Sequence, residues 1–285
     1  MPTHAIPELQ PGTGTSLSAL EFRGVTCRFG ARGKGGTAYT AVEGVDLTVA
    51  DGEFVSVVGP TGCGKSTLLN LAAGLLETSA GEVLVFGTPL SGVNRRAGYM
   101  FQSESLLPWK NALDNVTLGL QYRGMGKTEA KDVGEAWLRR VGIGGFAGRY
   151  PHELSGGMRK RVSLAQTLAL DPAIILMDEP FAALDIQTRQ LMENEVLALW
   201  EAKKKAVLFI THDLDEAIAL SDRVVVLSAG PATHPIGEFQ INLPRPRDVA
   251  AIRALPEFAR LHAEIWAAMK DEVLRGYARQ MQVVS

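Results

Sequence analysis

Phe54-Val55-Ser56-Val57-Val58-Gly59-Pro60-Thr61-Gly62-Cys63-Gly64-Lys65-Ser66-Thr67 is the stretch that decides the fold. Its first five residues are apolar or β-branched apart from Ser56, which is the composition of a short strand buried on both faces. The glycines stop that strand, and Leu68, Leu69, Leu71, Ala72 and Leu75 then recur at helical spacing. Between strand and helix, Gly59-x4-Gly64-Lys65-Ser66 has the spacing of a phosphate-binding P-loop. Glycines there let backbone N–H groups turn inward on an anion with no Cβ in the way. Lys65 adds a point charge, Ser66 offers a hydroxyl to a Mg²⁺ shell, and the helix brings its positive end to the phosphates. The motif by itself leaves kinases, GTPases and ATPases open.

The 285 residues suffice for one large domain, or for one domain with a small appendage. A net charge of −2 supplies no basic field for nucleic acid or an anionic membrane surface. Cys27 and Cys63 are far apart and form no C-x-x-C pair, so neither a metal site nor a disulfide framework is expected and a reducing cytosol fits. Cys63 reads as a small filler of the P-loop whose reactivity toward thiol reagents is testable. The first ten residues lack the basic and apolar regions of a signal peptide, and no run of 18 apolar residues occurs. Any role at a membrane is therefore expected to come through a partner.

Residues 1–18, with Pro2, Pro7, Pro11, Gly12 and Gly14, read as a flexible leader. Leu20–Phe29 and Val42–Val49 alternate as strands, separated by a glycine-rich basic turn at Gly30–Gly36. Phe29 or Tyr39 can stack on a nucleotide base, and either can equally be a strand-packing aromatic. Gly81–Gly87 and Arg96–Phe101 read as further strands, the second ending at Gln102. From Leu106 to about Tyr150 the pattern turns helical, punctuated by glycines, as expected of an inserted helical lobe. Leu154-Ser155-Gly156-Gly157-Met158 opens another helix. Ile174–Glu179 is a buried strand ending in two carboxylates, which a doubly wound sheet would place beside the P-loop. Ala206–Ile210 is a strand that delivers Thr211-His212-Asp213 to the same edge, and Val224–Leu227 is one more. Lys203-Lys204-Lys205 ends a helix and complements its dipole. After Pro231 prolines break the chain until Phe258, Leu261, Ile265, Trp266 and Met269 mark an amphipathic helix packing back on the body.

Taken in order, the P-loop, Leu154–Gly157 and Asp178-Glu179 make the sequence resemble the nucleotide-binding subunits of ABC transporters over about residues 20–230. The resemblance implies an α/β P-loop NTPase fold. It would have a RecA-like mixed sheet, an antiparallel β subdomain and an inserted helical subdomain at about 106–165, with the ATPase domain over 19–230 and a C-terminal extension over 231–285. It also assigns roles. Gly59, Pro60, Thr61, Gly62, Cys63, Gly64, Lys65, Ser66 and Thr67 would be the Walker A loop, Gln102 the Q-loop glutamine, and Ser155, Gly156 and Gly157 the signature. Asp178 would be the Walker B aspartate, Glu179 the catalytic glutamate, Asp185 the D-loop aspartate and His212 the switch histidine. Phe29 matches the aromatic that stacks on adenine better than Tyr39 does. Met158 stands where many members carry glutamine, and little loss is expected.

The implied activity is hydrolysis of ATP with Mg²⁺, catalysed by Glu179, His212 and Lys65, with Ser66, Gln102 and Asp178 around the metal. The implied partners are a second copy of the chain, a membrane-spanning permease and, indirectly, a periplasmic or extracellular solute-binding protein, but no nucleic acid. The expected location is the cytoplasmic face of the inner membrane, as a peripheral subunit. Leu106-Leu107-Pro108-Trp109-Lys110 with Asp114-Asn115-Val116, and Leu243-Pro244-Arg245-Pro246-Arg247, look like the nitrate, sulfonate and taurine branch of bacterial importers. A soluble ABC ATPase uncoupled from transport would be expected to carry a long coiled-coil insertion or tandem cassettes, and a small-molecule kinase would leave the signature and His212 without a task.

Overall fold

In the computed structural model, which describes residues 18–30, 38–103, 105–182 and 184–284, every residue of β3 (Phe54–Val58) is buried. Alternation along the strand sends Val55 and Val57 to one face and Phe54 and Val58 to the other, and each set enters a different hydrophobic cluster. The same holds for β7 (Ile174–Asp178), β8 (Ala206–Ile210) and β9 (Arg223–Leu227), so this sheet is covered on both sides. Phe54 anchors the helix-side cluster between Trp200 (5.7 Å) and Phe209 (5.9 Å). Burying a ring of that size contributes on the order of 2–3 kcal/mol.

The six strands run β10-β9-β3-β8-β7-β6, where β6 is Ala97–Met100 and β10 is Pro235–Gln240. All neighbours pair in parallel except β10, which is antiparallel to β9 and makes the sheet mixed. Register then assembles one edge. Met100 pairs with Met177, Asp178 with Ile210, and Val57 with Ile210, so the residues that follow the strands emerge side by side. A second, antiparallel sheet, β2-β1-β4-β5, consists of β1 (Ser18–Phe29), β2 (Tyr39–Ala50), β4 (Ala80–Val85) and β5 (Thr88–Pro89). It closes one face together with α1 (Lys65–Ala72).

Helices α2 (Ala112–Tyr122), α3 (Lys127–Arg140) and α4 (Gly156–Ala169) form the helical part between β6 and β7. The chain continues through α5 (Ile186–Lys203), α6 (Leu214–Leu220), α7 (Val249–Arg253) and α8 (Pro256–Val284). No helix among the described residues is long and apolar enough to cross a membrane. The expected leader and nearly all of the Gly30–Gly36 turn lie outside the described residues.

Three expectations change. The proline-broken stretch contains β10, which tolerates Pro235 because that residue opens an edge strand. Trp266 does not join the packed stripe of α8. Phe258, Leu261, Ile265 and Met269 are buried, whereas Trp266, one residue and about 100° beyond Ile265, is 44% exposed. Lys203-Lys204-Lys205 does more than complement a dipole. Lys203 and Lys205 reach Asp171 at 2.8 and 3.5 Å, and Lys204 adopts the left-handed conformation that ends α5, its ammonium 3.9 Å from the Trp200 ring.

The two short motifs that suggested an importer branch are clamps. Asn115, fully buried, accepts from the Leu107 amide (2.8 Å) and donates to the carbonyls of Leu107, Lys110 and Asn111, leaving Trp109 71% exposed at the tip. Arg247 donates to the carbonyls of Ile218, Ala219, Ser221, Ile241 and Leu243, and Arg245 holds Asp222 at 2.8 Å.

Candidate active site

The sheet edge carries the P-loop after β3, Thr211-His212 after β8, Glu179 after β7 and Gln102 just beyond β6. They line a cleft of about 460 Å³ bounded by Thr61, Gly62, Gly64, Lys65, Ser66, Thr67, Gln102, Glu179 and His212. Gly64 caps α1 at φ 108°, where a side chain would be strained, and a Cβ there would lie 3.1 Å from Val42 and 3.2 Å from the Ala41 carbonyl. The loop thus closes tightly over β2. Pro60 is buried, and a Cβ on Gly276 of α8 would lie 3.2 Å from it, so the C-terminal helix seats against the P-loop.

Lys65 is buried and folds back on its own loop, donating to the carbonyls of Gly59 (2.9 Å) and Pro60 (3.0 Å). Ser66 Oγ donates to Asp178 Oδ1 at 3.0 Å. Burial pushes the Asp178 carboxyl above the usual range; the Ser66 hydrogen bond opposes that shift and the neighbouring Glu179 adds to it. Glu179 Oε2 receives Gln102 Nε2 at 3.3 Å and lies 3.2 Å from His212 Nδ1. Glu179 has φ 42°, in the left-handed region that a non-glycine residue occupies only when its surroundings enforce it. Its amide bond to the Ile210 carbonyl (2.9 Å) is part of that enforcement.

Ser155, Gly156, Gly157 and Asp185 are not brought into this cleft. They line a second one, of about 590 Å³, with Met158, Arg161, Leu184 and Thr188. Ser155 caps α4 by accepting from the Met158 amide (3.3 Å), and Asp185 caps α5 by accepting from the Thr188 amide (3.0 Å). A Cβ on Gly157 would lie 3.0 Å from Thr188, which fixes how closely the two helix starts pack.

Phe29 and Tyr39 are direct cross-strand partners, 40% and 45% exposed, at the end of β1 and β2 nearest Ala41 and the P-loop. Neither is among the residues that line the P-loop cleft. Cys63 is fully buried and burial raises its thiol pKa, both of which disfavour reaction with thiol reagents.

The sequence profile described as ABC transporter matches residues 42–182. An uncharacterised ABC transporter ATP-binding protein of Methanocaldococcus jannaschii is 46% identical over 241 residues, 84% of this chain and 88% of that one. This chain belongs to the ABC transporter ATP-binding proteins.

Other relatives of this ABC ATPase carry more specific names. A taurine import ATP-binding protein of Rhizobium johnstonii is 41% identical over 248 residues, covering 85% of this chain and 94% of the relative. A solved ATP-binding cassette, a dimer in a post-hydrolysis state with ADP and phosphate, matches with TM-score 0.70 and 30% identity, over 79% of this chain and all of the cassette. The fold is that of an ABC ATPase, and the activity is ATP hydrolysis.

Around the cleft lie polar contacts that sequence reasoning did not find. Tyr99 stands behind Asp178 and donates to Asn70 Oδ1 (3.2 Å); burial and the Asp178 charge push its hydroxyl pKa up. Arg189 pairs with Asp213 (3.2 Å) and Glu216 (3.7 Å), and Glu216 accepts from Thr211, so the residues on either side of His212 are tied to α5 and α6. Long-range polar pairs carry no periodicity, and only the nearness of Asp213 to His212 and of Arg189 to Asp185 pointed that way.

Proposed function

We propose that this ATPase energises a bacterial importer of a small solute of the taurine, sulfonate or nitrate kind. It would act as two copies beneath a membrane permease at the cytoplasmic face of the inner membrane, with a solute-binding protein on the far side. One observation supports the reading: the P-loop residues and the Ser155–Gly157 and Asp185 residues line separate clefts of a single chain, as two complementary parts of an ATP site would. A head-to-tail pair would bring the Ser155–Gly157 end of one copy over the P-loop of the other, closing two sites at once. The dimeric cassette among the solved relatives, the taurine import relatives and the exposed Trp109 beside the Gln102 segment support the arrangement.

Phosphoryl transfer to water needs positioning and charge neutralisation more than covalent chemistry. Lys65 would leave the Gly59 and Pro60 carbonyls for the β- and γ-phosphates, joined by the P-loop amides. Ser66 and Asp178 offer two hard oxygens 3.0 Å apart, a donor set that suits Mg²⁺ when phosphate oxygens fill the rest of its shell, and the Gln102 amide oxygen can add to it. Bound there, the ion would neutralise charge on the phosphates. Glu179 would accept the proton of the attacking water, and His212 would hold that water and the γ-phosphate in line. Phe29, with Tyr39 beside it, would stack on adenine. Ser155 and Gly157 would present the N-terminal end of α4 to the γ-phosphate of the partner copy, with Asp185 alongside.

The test is Glu179→Gln with ATP and Mg²⁺, read by light scattering and by phosphate release. The expected result is retained nucleotide binding, turnover down by about 10²-fold or more, and a stable dimer. Lys65→Ala should lose nucleotide affinity and stay monomeric. A Glu179→Gln chain that hydrolyses ATP normally would remove that residue from its role. Uptake assays in a deletion strain, comparing taurine, alkanesulfonates and nitrate, decide the solute.

A further inference from the structure

His212 sits on a short bridge between β8 and α6, and the residues on both sides of it are tied down. Thr211 Oγ1 donates to Glu216 Oε2 at 2.6 Å and accepts from the Asp213 amide at 3.0 Å. Asp213 Oδ1 accepts from the amides of Asp215 (2.8 Å) and Glu216 (3.3 Å), capping α6. The other carboxylate oxygen of Asp213 receives Arg189 Nη1 at 3.2 Å. Arg189 Nη2 donates to the Leu184 carbonyl at 3.3 Å, and its Nε lies 3.7 Å from Glu216 Oε1.

Arg189 stands one turn into α5, the helix capped by Asp185. Its guanidinium therefore bridges the backbone before Asp185 to the residue after His212. A planar fork with two terminal nitrogens can hold two differently placed acceptors at once, which an ammonium cannot do with the same fixed geometry. The His212 ring itself is more than half exposed and gets little packing, so the backbone at 211–213 sets where it points.

We propose that Arg189 is a positioning residue for ATP hydrolysis: by clamping Asp213 to the Leu184 carbonyl it holds the His212 imidazole against Glu179. The inference rests on the reading of His212 and Glu179 given above. It adds a residue that touches neither nucleotide nor water, and it links the two clefts mechanically, since Leu184 lines the second one. A displacement of about 1 Å at such a group costs on the order of 10²-fold in rate. Among the described residues no hydrogen bond or ion pair joins the P-loop to Arg189 or Asp213, so ATP binding should not notice the loss of the clamp.

The experiment compares Arg189→Met, Arg189→Lys, Asp213→Asn, His212→Ala and the double variant Arg189→Met/His212→Ala, each as the full chain, by steady-state hydrolysis and thermal melting. Arg189→Met and Asp213→Asn should lower kcat about 10-fold or more with KM for ATP within about twofold. Arg189→Lys should recover melting temperature but not kcat. In the double variant the Arg189 change should have no further effect, because a residue that acts only through His212 has nothing left to act on. Asp213→Asn keeps an oxygen to cap α6, so it decides the matter should Arg189→Met fail to fold. Folded Arg189→Met or Asp213→Asn chains with kcat within twofold of wild type, beside a His212→Ala chain that has lost turnover, would overturn the clamp. Wild-type turnover in His212→Ala would instead remove the reading beneath it, and the clamp with it.

Discussion

Glu216 of α6 and Glu193 of α5 are buried carboxyls, and burial, the largest influence on both, raises each to about 7 from an ordinary 4.5. The charge of Asp213 pushes both the same way; Arg253 and Arg189 oppose the rise at Glu193, and the Thr211 hydrogen bond and Arg189 oppose it at Glu216, without cancelling it. The folded chain therefore keeps protons that the unfolded chain releases above pH 4.5. That stability is complete below about pH 4.5 and is lost as pH rises through about 7. For Glu216 alone the gap from 4.5 to about 7, at about 1.4 kcal/mol per pH unit, gives an upper figure of about 3 kcal/mol. Glu216→Gln makes the group permanently neutral. Its amide oxygen can still accept from Thr211, but its NH₂ would face the Arg189 Nε, a mismatch that costs about 1 kcal/mol. The variant should match wild type near pH 5 and exceed it by about 2 kcal/mol at pH 8, a rise of a few degrees in melting temperature. Urea titrations at pH 5, 6, 7 and 8 on nucleotide-free protein measure this. Asp171 and Asp185, whose pKa values are lowered, lose their contribution only in more acidic solution and leave the window clear. A Glu216→Gln chain less stable than wild type at pH 8, or wild-type stability that climbs from pH 5 to 8, would refute the reasoning.

Two further perturbations follow from buried contacts. Arg247→Met strips hydrogen bonds from five carbonyls between α6 and the segment after β10, and should cost about 3–5 kcal/mol in urea unfolding. Gly276→Leu places a side chain where even a Cβ is 3.2 Å from Pro60, so α8 must lift from the P-loop. KM for ATP should rise several-fold and α8 should become the first site of limited proteolysis, while Gly276→Ala should show a smaller effect of the same sign.

How much of this was legible in the sequence depended on whether the information was local. The P-loop strand, the two acidic residues ending β7 and the delivery of His212 by β8 could all be read, because strand burial and glycine spacing are written in consecutive residues. The single sheet edge could be anticipated from them as well, since parallel strands of similar length end together. What escaped was pairwise. The choice between Phe29 and Tyr39 turns on their being cross-strand partners, which a one-dimensional pattern cannot show. The Arg189 clamp joins residues 24 positions apart with no hydrophobic period between them. Trp266 was different, for helical geometry already put it off the stripe that Ile265 and Met269 define, and its apolar character outweighed its phase.

The distribution of charge at helix starts bears on the proposed pairing with a second copy. Among the described residues half of the α-helices carry an acidic residue in the first turn: Asp114 in α2, Glu129 in α3, Asp215 and Glu216 in α6, and Glu257 in α8. Such residues neutralise the positive end of the helix. Besides the five-residue α7, those without one are α1, α4 and α5. The first of these begins in the P-loop cleft and the other two begin at the second cleft. An acidic side chain at those positions would repel a triphosphate; α1 and α4 have none at their N-terminal ends, so their dipoles stay available to an anion, whereas α5 is capped by the Asp185 carboxylate. Within one chain α4 points that potential at a cleft without a P-loop, and in the proposed pair another molecule's triphosphate is the anion that would complete it.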